Sequence, residues 1–261
     1  MGDNKKKLDI QMIRNLSKND FKVKYAGSYF GAIWAFIQPL VQVLIFWFVF
    51  QVGFKSGPVN DYPFVLWLIA GMIPWFFYSD ALNNITNCFV EYSFLVKKVV
   101  FNIDILPIVK ILSSAYVHIF FVCIMILIYI LNGYYPNLYY IQIIYYTVCA
   151  AVLLLSTGYL CSSLVIFFKD LSQIIMIYLQ ILNWLTPIMW NYTMIDPSWR
   201  WILQLNPIYY IVEGYRDTFI NHTWFFEHPI NTVYFWIFCF ICAVISKKIY
   251  VKLKPHFADV L

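Results

Sequence analysis

Charge is scarce in this sequence: Asp, Glu, Lys and Arg make up 12% of 261 residues, against roughly a quarter in soluble domains. With 62% hydrophobic and 21% aromatic residues beside that shortage, a soluble fold is excluded and a polytopic membrane protein is expected. Motifs of chemistry are missing too. No G-x-x-x-x-G-K-[ST] loop, H-E-x-x-H helix or G-x-S-x-G elbow occurs, and no carboxylates recur at a fixed helical spacing. The chain is therefore expected to bind no cofactor or metal and to catalyse no reaction of its own. A disulfide framework is not expected either, because Cys88, Cys123, Cys149, Cys161, Cys239 and Cys242 are scattered through apolar segments. The first thirty or so residues are polar and lack a cleavable signal, so the first span is read as an uncleaved insertion signal. The net charge of +5 does not point to nucleic acid, because the basic residues follow the membrane.

The hydrophobic runs predict an all-α protein with six spans: about 33–53, 63–85, 108–131, 138–168, 171–189 and 232–245. Six spans put both termini on one side. With that side inside, only Lys55, Arg200 and Arg216 of the eighteen basic residues fall outside, as the positive-inside rule requires. Residues 1–31 read as a basic interfacial segment in which Arg14, Lys22 and Lys24 stand where an anionic headgroup could be met. The Gly27-to-Gly31 spacing permits a close helix approach. Residues 191–229, too broken to span, predict two short outer helices capped by Asp196-Pro197 and Asn206-Pro207. With Trp199, Trp201, Tyr209, Tyr210, Tyr215 and Trp224, these helices should sit in the outer interface or dip in and return.

Residues 94–107 lie between the second and third spans and read as an amphipathic helix on the inner surface. At about 100° per residue, Lys97, Lys98, Asn102 and Asp104 share an arc of roughly 160°. Phe101 falls inside that polar arc, and an aromatic turned to water calls for a protein partner. Elsewhere the ionisable groups are few. Asp80 and the lone His118 are weak candidates for proton coupling, and His118 reads first as a structural residue. Glu213 and Arg216 can pair at i,i+3, either as a local ion pair or at the exit of a path. Trp34, Phe36, Tyr178 and Trp184 are candidates to line a path, although packing and lipid contact account for most aromatics in such a chain.

Taken in order, several stretches carry a resemblance. They are Asn19-Asp-Phe-Lys-Val-Lys-Tyr-Ala-Gly-Ser-Tyr-Phe-Gly-Ala-Ile-Trp34 with Pro39, Phe94-Leu-Val-Lys-Lys-Val-Val-Phe101 with Ile105-Leu-Pro107, and Phe168-Lys-Asp-Leu171. Thr186-Pro-Ile188, Asn206-Pro207, Tyr215-Arg216 and Phe257-Ala-Asp259 follow. Over essentially its whole length the chain resembles the permease subunit of type-2 ABC exporters, in the branch that moves lipid-linked polysaccharides such as O-antigen, capsule or teichoic acid. The resemblance implies a homodimer in a bacterial cytoplasmic membrane, joined by two copies of a nucleotide-binding subunit that would hold ATP and Mg2+. It makes 94–107 the coupling helix, with Lys97, Lys98, Phe101 and Asp104 at the ATPase contact, and 191–229 the outer re-entrant element. Two alternatives stay open. One is export of a small hydrophobic drug or lipid; the other is a membrane transferase acting on polyprenyl-phosphate sugars, which would need Asp20, Glu91 and Asp170 gathered by folding.

Overall fold

An apolar chain in lipid has to satisfy its backbone internally, which helices do residue by residue. The computed structural model describes residues 2–97 and 102–261, with side chains of the first helix described from Ile10 onward, and among these residues no strand forms. Helix α1 (Gly2–Lys24) is followed by α2 (Trp34–Trp47), which runs on in wider π-type turns to Gly53. Next come α3 (Phe64–Thr86), the single turns α4 (Cys88–Glu91) and α5 (Ser93–Val96), then α6 (Leu106–Leu131) and α7 (Gln142–Val165). Helices α8 (Leu171–Leu185), α9 (Arg200–Gln204), α10 (Pro207–Arg216), α11 (Pro229–Leu253) and α12 (Phe257–Val260) complete the chain.

Among the described residues, five helical stretches are long and apolar enough to cross a bilayer: Gly31–Gly53, Phe64–Thr86, Ile103–Leu131, Leu138–Val165 and Pro229–Val260. The expected fifth span, α8, is shorter than its hydrophobic run. It stops at Leu185, so its 15 residues reach about 22 Å where a bilayer core needs about 30 Å. The cause is local. Thr186 precedes Pro187 and is forced into extended backbone, with φ −74° and ψ 130°.

Helix α3 is buried nearly all round, as its hydrophobic circumference demands. It packs against α6, α7, α8 and α10. Helix α10 does not rest on the surface: residues 206–220 are buried apart from half-buried Glu213, so the second capped segment enters the bundle. The approach to α7 is close enough to require glycine, because a Cβ on Gly214 would lie 2.1 Å from the Tyr146 ring. The Gly27 and Gly31 pair does not pack helices together. Both take positive φ, +93° and +52°, and they turn the chain between α1 and α2.

One face of the bundle, the terminal face, gathers α1, residues 87–97 and 102–105 of the connection to α6, and the C-terminal tail, joined by Tyr92 to Asp20 and Lys254 to Asp104 contacts. The opposite, distal face gathers the loops after α2, α6 and α8, where Tyr62 stacks on Tyr134 and Asn60 bonds Asn221.

Candidate functional site

At the terminal face, polar contacts fasten α1 to the bundle. Lys110, on the first turns of α6, is 5% exposed. Its Nζ donates to Asp20 Oδ1 at 2.7 Å and to Glu91 Oε2 at 2.5 Å, and it lies over the Tyr92 ring. The Tyr92 hydroxyl donates to the same Asp20 oxygen at 2.7 Å. Burial and then that carboxylate hold the Tyr92 phenol above its ordinary pKa, which keeps it a donor. Folding thus gathers Asp20 and Glu91, but onto a lysine that pairs with both; Asp170 stands elsewhere, ahead of α8. A lysine inside an apolar helix demands a carboxylate partner, and that was the sequence signal for this knot.

Three of the four basic side chains between Arg14 and Lys24 form an outward row. Arg14, Lys18 and Lys22 are all exposed at i, i+4 and i+8. Ser17 and Phe21 face the bundle and meet Tyr116. Lys24 leaves the row and donates to Asp80 Oδ1 at 2.6 Å. The other oxygen of Asp80 accepts from Asn84 at 3.0 Å and Ser114 at 2.7 Å. Asp80 borders a cavity of about 330 Å3 that reaches inward to His118. His118 Nε2 lies 2.9 Å from the Tyr215 hydroxyl and its ring stacks on Phe77.

The connection between α3 and α6 differs from the single helix expected over 94–107. Ser93–Val96 is one helical turn, but Asn102 is extended, φ −79° and ψ 93°, and its side chain caps the backbone N–H of Asp104. A capping residue wins over the apolar periodicity. Lys97 is exposed; Lys98 and Phe101 lie outside the described residues. Asp104 keeps about half of its side chain exposed while accepting from Tyr250 Oη and Lys254 Nζ, and Tyr159 donates to its backbone oxygen at 2.6 Å. Beneath it, Phe89, Val96, Ile103 and Leu106 pack with Tyr250 and Phe257 in a core separate from that of the main bundle. The C-terminal tail therefore grips this connection, a long-range partnership that no local pattern announces.

Among the aromatic candidates, Phe36 packs on Phe120 at 4.3 Å between centroids. Trp34, Tyr178 and Trp184 are exposed. The exposed side of α8 also carries Gln173 and Gln180.

At the distal face, Asp196 caps its turn by accepting from the N–H and hydroxyl of Ser198, bonds that hold its carboxyl below the ordinary value. The i,i+3 pair forms as spacing allows, with Arg216 Nη1 2.6 Å from Glu213 Oε1. The same guanidinium donates to the carbonyls of Pro187 at 2.6 Å and Ile188 at 2.8 Å, and it lies 3.6 Å over the Trp67 ring. Arg216 is thereby a buried tie between α10, α3 and the chain after α8.

A family model described as ABC-2 type transporter matches residues 11–220. An O-antigen export system permease protein, RfbA, of Klebsiella pneumoniae is 26% identical over 247 residues, covering 94% of this chain and 93% of that protein. A second Klebsiella protein of the same name is 25% identical over the same span. RfbA of Myxococcus xanthus is 22% identical over 213 residues, 81% of each chain.

Proposed function

The chain belongs to the ABC-2 type transporter family, and we propose that it is the membrane subunit of an ATP-driven exporter of a lipid-linked polysaccharide, of the O-antigen, capsule or teichoic acid kind. The observation that carries the substrate class is the similarity, over 94% of the chain, to proteins named for O-antigen export. The sequence contains no phosphate-binding loop, so the energy enters from a separate nucleotide-binding subunit that holds ATP and Mg2+. In this reading the membrane is the bacterial cytoplasmic membrane, the terminal face lies inside, and two copies of the chain meet two copies of the ATPase.

The connection 94–107 is the element that the ATPase moves, with Lys97, Lys98, Phe101 and Asp104 at the contact. Force delivered there passes two ways. Leu106 carries it directly into α6, and Asp104, Tyr250 and Phe257 carry it into α11. Arg14 and Lys22 meet the anionic headgroup of the substrate or of membrane lipid, with Lys18 between them; Lys24 serves the same region while tied to Asp80. The exposed side of α8 with Tyr178, Gln180 and Trp184 forms a wall of the path, together with Trp34 and the side of α2 that carries it. Phe36 supports that wall from behind, and Glu213 with Arg216 fixes the re-entrant helix at its outer end.

Co-expression with a candidate ATP-binding partner subunit tests the assignment. The chain alone is expected to hydrolyse no ATP, the pair to hydrolyse it and to purify with a polyprenyl-linked glycan. Lys97→Glu and Phe101→Ala should each lower affinity for the ATPase at least tenfold while membrane insertion is unchanged. Unaltered affinity in both variants would remove the coupling role, and a bound small lipid or drug in place of a glycan would overturn the substrate class.

A further inference from the structure

The distal face contains a cavity of about 290 Å3 beside α10, which the transport path described above does not use. It is near the lower end of small-molecule sites, about 300 to 1,000 Å3, and so fits one small ring better than an extended polymer. Tyr192 and Tyr209 supply aromatic wall, their rings set edge to face 6.5 Å apart. Glu213 and Asp217 are the acidic residues of its lining, and Asn191 and Asn231 are among the amide-bearing ones.

Charge and chemistry narrow the occupant. The Arg216 guanidinium is already committed to Glu213 and two carbonyls, so no free cation welcomes a phosphate or carboxylate. His228 stands 3.5 Å from Asp217, but no group of three or more His, Cys, Asp or Glu suited to a metal occurs among the described residues. An acyl chain would set the Glu213 and Asp217 carboxylates, each already bonded once, to Arg216 and Asn221 respectively, and the two amides against hydrocarbon with no further partner. What fits is a neutral polyhydroxylated ring, whose hydroxyls donate to the carboxylates and exchange bonds with the amides while its C–H face rests on tyrosine.

We infer that this cavity is a binding site for a single pyranose unit, placed on the distal side of each protomer to engage the saccharide as it leaves. The inference rests on the exporter reading for its role and on the cavity alone for its ligand. Saturation-transfer NMR on the full chain in lipid nanodiscs tests it, with methyl glucoside, methyl galactoside, methyl mannoside, N-acetylglucosamine and glucosamine as probes. At least one neutral sugar should receive transfer to its ring protons. Asp217→Asn should reduce that transfer at least threefold, and so should Asn231→Ala, at a half-buried position in the first turn of α11, with the fold of each variant checked by circular dichroism. No transfer to any neutral sugar, or transfer unchanged in the folded Asn231→Ala protein, overturns the site; preference for glucosamine over every neutral probe overturns the neutral-ring assignment. Export is assayed separately in cells. Sugar binding by a chain that exports no glycan would refute the exporter reading and leave the site standing.

Discussion

Arg216 shows how a single side chain ties α10 into the bundle. Its planar fork reaches two backbone carbonyls and one carboxylate while its face covers Trp67, a set of contacts that an ammonium on a flexible stem cannot reproduce. Arg216→Lys should therefore destabilise the protein by about 2–4 kcal/mol, because Glu213 and the carbonyls after α8 lose buried partners. Arg200 gives the internal comparison. It also bonds two carbonyls, of Ile195 and Thr193, but at a half-buried position, so Arg200→Lys should cost less than about 1 kcal/mol. Apparent unfolding temperature in detergent distinguishes the two. Equal losses would show that the Arg216 fork has no special role. Gly214 adds a second residue-scale test: Gly214→Ala forces a methyl into the Tyr146 ring, and overpacking of this kind costs about 1–3 kcal/mol.

Between residue and whole lies the C-terminal tail. Phe257 is 1% exposed among Phe89, Phe167 and Tyr250, so Phe257→Ala removes the apolar half of the grip on residues 88–106 and leaves Asp104 with its polar half. Amide exchange in that segment should accelerate at least tenfold while α3 and α7 keep their protection, as expected when one cooperative unit loosens locally. Uniform acceleration through the bundle would mean that the tail stabilises the whole fold instead. The same region shows what a linear pattern can reveal. The Asp196-Pro197 and Asn206-Pro207 caps were legible because capping is local, and α3 and α6 because their apolar runs are long. The break at Asn102 was misread through periodicity, although an Asn two residues before Asp104 was itself a capping signal. The ties of Lys110 to Asp20 and of Asp104 to Lys254 span 90 and 150 residues, and one sequence carries no record of which distant charges meet.

For the molecule as a whole, α8 poses a problem that one copy does not solve. Its helix covers only about 22 Å of the passage between the two faces, the chain beyond Leu185 completing it, and its open side mixes Ile177 and Trp184 with Gln173 and Gln180. An amide facing hydrocarbon lacks a partner and costs several kcal/mol, whereas short or interrupted helices are tolerated where they border protein or water. In the proposed dimer, two copies apposed along α8 with water between them would satisfy both conditions and create a path whose walls are aromatic and amide-bearing. Helix α11 offers the contrast: its exposed Phe240 has no polar neighbours to explain and belongs against lipid. In membranes carrying a variant without native cysteines, Trp184→Cys or Gln180→Cys should yield a dimer linked by oxidation or by a short bifunctional thiol reagent, and Phe240→Cys should not. If Phe240→Cys links and the α8 positions stay monomeric, the copies meet along the opposite side, and the glutamines of α8 need another source of hydrogen bonds.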